Sequence, residues 1–172
     1  QKRSKNYQNL GSKLKNLNEV IRANTSLAAK VEAVVKEGRF PLVLGGDHSI
    51  AIGTLAGLST SYDNLGVIWY DAHTDMNTDE TSPSGNIHGM PLAVSIGLGD
   101  DRLVNLHRKG QKIKPENVVV IGARDVDPGE RLLIKEHGIK VYTMHEIDKY
   151  GMTAVMQDSI AYLQSKELDG VH

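Results

Sequence analysis

Cysteine is absent from the 172 residues, and neither sign of charge is in excess. Without cysteine there is no disulfide and no thiolate metal site, which fits a reducing, cytoplasmic location. A net charge of −1 gives no indication of a nucleic-acid partner or of an anionic membrane. No apolar run approaches the ~20 residues that a membrane span needs, and the basic first residues lack the apolar stretch of a signal peptide. These absences favour an ordinary globular domain without a nucleic-acid or membrane partner.

Helical and strand-like patterns alternate along the chain. Spacings of three and four residues predict a helix from Leu17 to near Gly38. Strands are predicted at 40–46, 65–72, 117–123 and 139–144, with one more opening at 169–172; further helices are predicted at 47–58, 127–138 and 151–165. Such alternation predicts an α/β fold, with a mainly parallel sheet between two layers of helices, in a single domain over 1–172.

The two ends of the chain and one internal segment do not follow this alternation. Residues 1–13 are polar and are predicted to be loose, and a polar loop with Gly and Pro covers 77–90. The last predicted strand stops soon after it begins, and no strand precedes the first helix. We therefore expect the fold to be incomplete, with terminal parts of the domain missing.

One segment, "DAHTDMN" at 71–77, places three ionisable side chains directly after a buried apolar run. Side chains of an extended segment alternate in direction, so Asp71, His73 and Asp75 can point to one side. His48 follows another apolar run and two glycines, and it joins the group if the two strands are neighbours. Carboxylate and imidazole without sulfur suit Mn, Fe, Zn or Co, and carboxylate-rich sites lean towards Mn. The pattern predicts a metal site at the carboxyl ends of the strands.

Simpler structural roles compete with this interpretation. Asp47 and Asp127 are also typical helix N-caps, and the Asn and Ser residues of the loop at 77–90 are common in turns for backbone reasons. The segment at 71–75 is different, because three unpaired ionisable groups at a strand end would cost several kcal/mol without a compensating ion. A metal ion supplies that compensation.

Several of these motifs together resemble a known family. The segments "GGDHS" (45–49), "DAHTDMN" (71–77) and "SPSGNIHGMPL" (82–92) are similar to those of the ureohydrolases. The third of them and "GARDVDPGE" (122–130) favour the arginases of bacterial type within that group, and "YTMHEID" (142–148) also fits. The resemblance covers nearly the whole chain and implies the arginase fold.

The resemblance implies a hydrolase that converts L-arginine to L-ornithine and urea with a hydroxide that bridges two manganese ions. By the same resemblance, His48 binds one ion, Asp71 bridges both, His73 binds the second and Asp75 returns to the first. His88 matches the histidine that shuttles a proton. A metal-bound hydroxide is a suitable nucleophile here, because the delocalised charge of a guanidinium makes its carbon a poor electrophile.

The substrate's amino-acid end is assigned in the same way. The resemblance implies that Asn77, Ser84 and Asn86 hold the α-carboxylate of arginine. Asp127 matches the group that meets the α-amino end, and Glu130 matches a nearby acidic residue. The resemblance further implies a homo-trimer or homo-hexamer.

One departure from the family pattern is an omission. The family carries a second aspartate motif, D-x-D in a strand later than those seen here, and a glutamate near its C-terminal end, and this sequence has neither of the two. Four ligands cannot satisfy two manganese ions, which prefer about six donors each. The 172 residues alone are therefore expected to have little or no activity.

Two alternatives stay open. One is an agmatinase or another ureohydrolase acting on a guanidino group; an arginase site using Asn77, Ser84 and Asn86 should instead prefer arginine strongly over decarboxylated arginine. A non-catalytic α/β fragment would bind metal and release no urea at all.

Overall fold

The structure, a computed structural model, describes residues 13–172, so nearly all of the segment predicted to be loose lies outside it. The α-helices are α1 (Leu17–Lys36), α2 (Ile50–Leu58), α3 (Pro91–Ser95), α4 (Asp101–Val104), α5 (Pro128–His137), α6 (Met144–Tyr150) and α7 (Met152–Gln164). The strands are β1 (Leu65–Tyr70), β2 (Val118–Ala123), β3 (Lys140–Thr143) and β4 (Gly170–Val171). No helix within residues 13–172 combines the length and the apolar character that a membrane crossing demands.

The four strands form one parallel sheet in the order β3-β2-β1-β4. Val67 of β1 is opposite Val118 of β2, and Leu65 is opposite Gly170 of β4. Most side chains of β1 and all those of β2 are buried. Helices that cover both faces of a parallel sheet explain why these strands are apolar almost throughout.

Each face of the sheet has its own core. On one face, Val67 and Trp69 pack against apolar residues of α1, α2 and α3. On the other face, Val119 and Ile121 pack against residues of α6 and α7. The predicted arrangement of helices, sheet and helices is therefore confirmed.

Helices α1 and α2 pack against each other at short range because α2 carries two glycines. A Cβ at Gly57 would lie 2.5 Å from the backbone oxygen of Ala28, and one at Gly53 would lie 2.6 Å from that of Asn24. The N–H of Gly53 donates to Oδ1 of Asn24 at 2.7 Å, which satisfies this buried amide. The close approach brings the start of α2, and His48 just before it, against the sheet.

The predicted strand at 40–46 is wrong for this structure. No strand is assigned there, and Phe40, Leu42 and Leu44 are 87%, 77% and 85% exposed. Within residues 13–172 no strand pairs with this segment. The apolar pattern predicts a strand, but a strand also needs a neighbour to receive its backbone hydrogen bonds.

Several boundaries and short helices also differ from the prediction. Helix α2 begins at Ile50 rather than at Asp47, whose Oδ1 instead accepts from the N–H of Ser49 at 3.0 Å. Helix α6 begins at Met144, where the prediction continued a strand, because Thr143 and Glu146 form a capping box. Helices α3 and α4 were not predicted, since elements of five and four residues are too short to show a period.

Candidate metal centre

The polar residues after β1 are held by the end of β2. The N–H of Asp71 donates to the carbonyl of Ile121 at 3.1 Å, which continues the parallel ladder by one residue. The carbonyl of Ala72 then accepts from the N–H groups of Arg124 and Asp125 at 2.9 and 3.2 Å. The segment after β1 is thus fixed at the carboxyl edge of the sheet, where open parallel sheets bind ligands.

Three of the four predicted ligands meet at this edge. Nδ1 of His48 lies 2.7 Å from Oδ2 of Asp71 and 2.8 Å from Oδ2 of Asp75. One atom from each residue lies within 4.8 Å of the others. The predicted proximity of His48 to the segment after β1 is confirmed, although the segment before His48 is not a strand.

The chemistry of this group fits a divalent cation. Asp75 is 3% exposed, and its Oδ2 lies 2.8 Å from Nδ1 of His48, but the hydrogen bond of that nitrogen goes to Asp71, which leaves the Asp75 oxygen without a donor among residues 13–172. A buried carboxylate oxygen without a donor is costly, and one imidazole nitrogen cannot donate to two carboxylates at once. A cation coordinated by the nitrogen and the two oxygens would compensate both carboxylates. These three residues could hold a metal ion of the Mn or Zn type.

His73 lies beside this cluster rather than inside it. Its Nδ1 is 3.4 Å from Oδ1 of Asp71, and its backbone N–H donates to the same oxygen at 3.0 Å. Its Nε2 points the other way, 3.6 Å from Oδ2 of Asp125. Asp71 therefore has His48 against one carboxylate oxygen and His73 against the other.

The charges of the cluster shift two pKa values. Burial by itself lowers the pKa of His48, but the nearby carboxylates of Asp75 and Asp71 outweigh it and raise the pKa above its ordinary value. Burial of Asp71 raises its pKa, yet the N–H of His73 and the imidazole of His48 more than offset this and leave the pKa below the usual range. Both shifts favour the charged forms, as expected where acceptors gather around one imidazole.

Asp75 has an unusual backbone conformation. Its φ is +52°, in the left-handed region that costs a non-glycine residue about 1–2 kcal/mol. Its carbonyl accepts from the N–H groups of Leu92 and Ala93 at 3.1 and 3.2 Å, at the start of α3. The fold thus holds this residue in a conformation that non-glycine residues populate sparsely, and the side chain faces His48.

The residues predicted to bind substrate are only partly together. Nδ2 of Asn77 donates to Oδ2 of Asp127 at 2.8 Å, which joins the loop after β1 to the start of α5. Ser84 is exposed, and its Oγ accepts from the N–H of Asn86 at 3.2 Å. His88 is exposed in a short 3₁₀ turn at Ile87–Gly89 and is not among the residues of the metal cluster.

Glu130 lies in the interior rather than at the mouth of the site. It is 4% exposed, and its Oε1 accepts from Oγ1 of Thr74 at 2.7 Å and from the N–H of Met76 at 2.9 Å. Its Oε2 accepts from the N–H of Asp127 at 2.8 Å. Asp127 and Glu130 also form the capping box of α5, so the predicted N-cap is confirmed.

Sequence reasoning missed Trp69 and gave no role to Asp125. Trp69 stacks on the ring of His48 with centroids 4.1 Å apart and planes 19° apart. The alternation in β1 would have placed Trp69 on the same side as Asp71. Asp125, which faces His73, lies two residues after the end of β2 at the same carboxyl edge, so its position after a strand was the available signal.

Comparison with known proteins agrees with this geometry. The model of the arginase family matches residues 4–172. Arginase from Bacillus subtilis (strain 168) is 67% identical over 159 residues, which are 92% of this chain and 53% of that protein. Arginase from Bacillus caldovelox is 63% identical over 161 residues, 94% of this chain and 54% of that protein. The solved structure of the latter covers 100% of this chain and 57% of its own, with 59% identity and a TM-score of 0.94.

The chain thus spans about half the length of the curated relatives that it matches. The high TM-score confirms the predicted architecture. The extent of the match and the identity together settle the family: the chain belongs to the arginase family.

Proposed function

We propose that this chain provides part of the active site of an arginase, an enzyme that hydrolyses L-arginine to L-ornithine and urea. The observation that carries the proposal is the cluster of His48, Asp71 and Asp75, whose ligand atoms lie within 4.8 Å at the carboxyl edge of the sheet. Membership of the arginase family and the arginase names of the relatives agree with it.

In this proposal four residues at the carboxyl edge of the sheet would hold two manganese ions. His48 and Asp75 would hold one ion, His73 would hold the other, and Asp71 would serve both. The support is that the two oxygens of Asp71 face different histidines, at 2.7 and 3.4 Å. When bound, such ions supply Lewis acidity that lowers the pKa of a water towards ~7, so that a nucleophile is available at neutral pH.

The other residues orient the substrate and move protons. Asn77, Ser84 and Asn86 donate to the α-carboxylate, and Asp127 accepts from the α-amino group. Water adds to the guanidinium carbon, the bond from that carbon to the ornithine nitrogen breaks, and His88 gives the leaving nitrogen its proton. In support of this, Asn77 and Asp127 already contact each other, and His88 is exposed to an approaching substrate.

Four protein ligands leave two manganese ions short of about six donors each. We therefore propose that the 172 residues alone bind metal weakly and release little urea. We also propose, from membership of the family, that the whole protein assembles as a homo-trimer or homo-hexamer. Light scattering on the natural protein measures the assembly.

The test combines an intact mass of the natural protein with manganese-dependent release of urea from L-arginine and from agmatine. Asp71→Asn is compared with Asp63→Asn, a matched change at an exposed carboxylate outside the cluster. We expect a mass well above 18.8 kDa, urea from arginine and not from agmatine, a loss of at least about 100-fold in D71N, and parental activity in D63N.

The alternatives give different results. Comparable release of urea from agmatine would indicate an agmatinase. Manganese binding without any urea from the natural protein would indicate a non-catalytic module. Full activity from the 172 residues would contradict the donor count.

A further inference from the structure

Glu130 is a buried carboxylate without a cationic partner among residues 13–172. Its side chain is 4% exposed, and no ion pair of the described chain includes it. Such a group must be satisfied by hydrogen bonds, and here three donors satisfy it: Oγ1 of Thr74, the N–H of Met76 and the N–H of Asp127. Their positions suggest what the carboxylate does.

Two of the donors stand on either side of a predicted metal ligand. Thr74 precedes Asp75 and Met76 follows it, and both donate to the same oxygen of Glu130, at 2.7 and 2.9 Å. Asp75 itself has the left-handed φ of +52°. Because both neighbours are held by one atom, the chain cannot relax at Asp75 without breaking these bonds, and its carboxylate stays directed at His48.

The third donor ties the same carboxylate to the predicted substrate end. Oε2 accepts from the N–H of Asp127 at 2.8 Å, and Oδ2 of Asp127 accepts from Nδ2 of Asn77 at 2.8 Å. Both oxygens of Glu130 are therefore used within the protein. This leaves the carboxylate enclosed behind Asp127 rather than directed towards a ligand.

We propose that Glu130 is a positioning residue, which holds Asp75 in its ligating conformation and fixes the metal ligands relative to Asp127 and Asn77, without touching the substrate. The metal part of this role rests on the proposed function. The conformational part does not, because the hydrogen bonds around Asp75 exist in the protein itself.

Three variants separate this role from simple capping of α5. Glu130→Gln replaces one acceptor oxygen by a donor and removes the charge. Thr74→Val removes one donor and leaves the capping box of α5 intact. Glu136→Gln is the matched control, since it makes the same change at an exposed position of the same helix.

Two measurements are made on the natural protein, which is the parent, and on each variant of it. The first is hydrogen exchange of the Met76 amide without metal, which reports the hold on Asp75 alone. The second is manganese affinity, measured by the EPR signal of free Mn²⁺. We expect E130Q to exchange the Met76 amide about tenfold faster and to bind Mn²⁺ about 10- to 100-fold more weakly. T74V should show smaller changes in the same direction, and E136Q should match the parent.

The results distinguish the two proposals. Parental exchange at Met76 in both E130Q and T74V would overturn the positioning role, and so would parental manganese affinity in both, because Glu130 would then serve only as a helix cap. If the parent binds no Mn²⁺ while exchange at Met76 is still faster in E130Q, the proposed metal centre is wrong. The proposal that Glu130 fixes the conformation of Asp75 is then still supported.

Discussion

Two apolar runs of this chain lead into the same cluster, yet only one of them is in the sheet. Residues 65–70 form β1, which is paired on both sides, and Trp69 is 2% exposed. Residues 40–44 have a similar composition and precede His48 as β1 precedes Asp71, but Phe40 is 87% exposed. The comparison shows that an apolar pattern by itself secures neither burial nor a place in the sheet, because both depend on a neighbouring segment.

The two runs also differ in how firmly they hold their ligand. Asp71 is fixed by a backbone bond to Ile121 of β2. His48 is held by contacts of its own side chain, with Trp69 on its ring face and Asp71 and Asp75 at Nδ1. The side chain of His48 is therefore oriented by the paired side of the cluster, while its backbone is anchored to α2, where the N–H of Ala51 donates to the carbonyl of His48 at 3.0 Å.

The largest expected contrast comes from truncating one aromatic residue in each run. Trp69→Ala removes a buried ring and should lower the free energy of unfolding by about 3–5 kcal/mol. Phe40→Ala should change it by less than about 0.5 kcal/mol. Trp69→Phe should cost less than W69A, since Nε1 of Trp69 makes no hydrogen bond with the described residues. Denaturant titration measures all three, and similar losses in W69A and F40A would contradict the comparison.

The comparison of the two regions is tested further by the same substitution at two glycines, one in α2 and one after the unpaired segment 40–44. Gly57→Ala places a methyl group 2.5 Å from the backbone oxygen of Ala28 and should cost about 1–3 kcal/mol, because α1 and α2 must separate. Gly46→Ala, at the end of the unpaired run, meets nothing within 4 Å. Thermal unfolding should show a lower midpoint for G57A alone. A G57A variant as stable as the parent would mean that the two helices separate easily.

Between pH 8 and pH 10, a pH dependence of stability is expected from Lys112. Lys112 is buried just before β2, and burial, with a smaller effect of Arg108, lowers its pKa to about 8. Between this value and the ordinary pKa of 10.5, the unfolded chain binds more protons, so this residue makes stability rise with pH. Relative to Lys112→Met, the parent should gain on the order of 1–2 kcal/mol between pH 8 and pH 10.

Denaturant titrations of both proteins at the two pH values measure this gain, and the other titrating groups cancel in the difference. In the folded chain the Lys112 ammonium donates to the carbonyls of Val104 and Gly110. If the free energy of unfolding changes equally with pH in the parent and in K112M, Lys112 is ionised as readily in the folded chain as in the unfolded one.

The smallest effect on stability is expected when charged residues are introduced into the unpaired segment 40–44. Leu42 and Leu44 are 77% and 85% exposed, so replacing both by Lys should change the free energy of unfolding by less than about 0.5 kcal/mol. The double variant should nevertheless self-associate less at high concentration, since exposed apolar segments favour aggregation. Light scattering over a concentration series checks this. Unchanged association would mean that these side chains do not contact other molecules.

Much of the fold could be predicted because it depends on local patterns. The strands at 65–72 and 117–123 and the N-cap Asp127 follow from apolar runs and from capping chemistry. The segment at 40–46 could not be assigned correctly, because a strand is a property of two segments. Three of the four predicted ligands were found together, whereas the buried position of Glu130 depends on how α5 packs against the loop after β1, which no local pattern contains.

The pairing of β1 with β4 has a consequence for the order of folding. Asn64, just before β1, donates to Asp169 across 105 residues of chain, whereas the amide of Asn117, just before β2, reaches Leu65 across 52. Closing the longer loop costs more entropy and comes later for a chain that forms contacts by diffusion. The α1–α2 pair and the β1–β2 ladder are therefore expected to form before β4 docks. Because β2 fixes the residues after β1, we expect the ligand cluster to form before β4 pairs with β1. An ion that binds the cluster at that stage would act as a nucleus for the rest of the sheet.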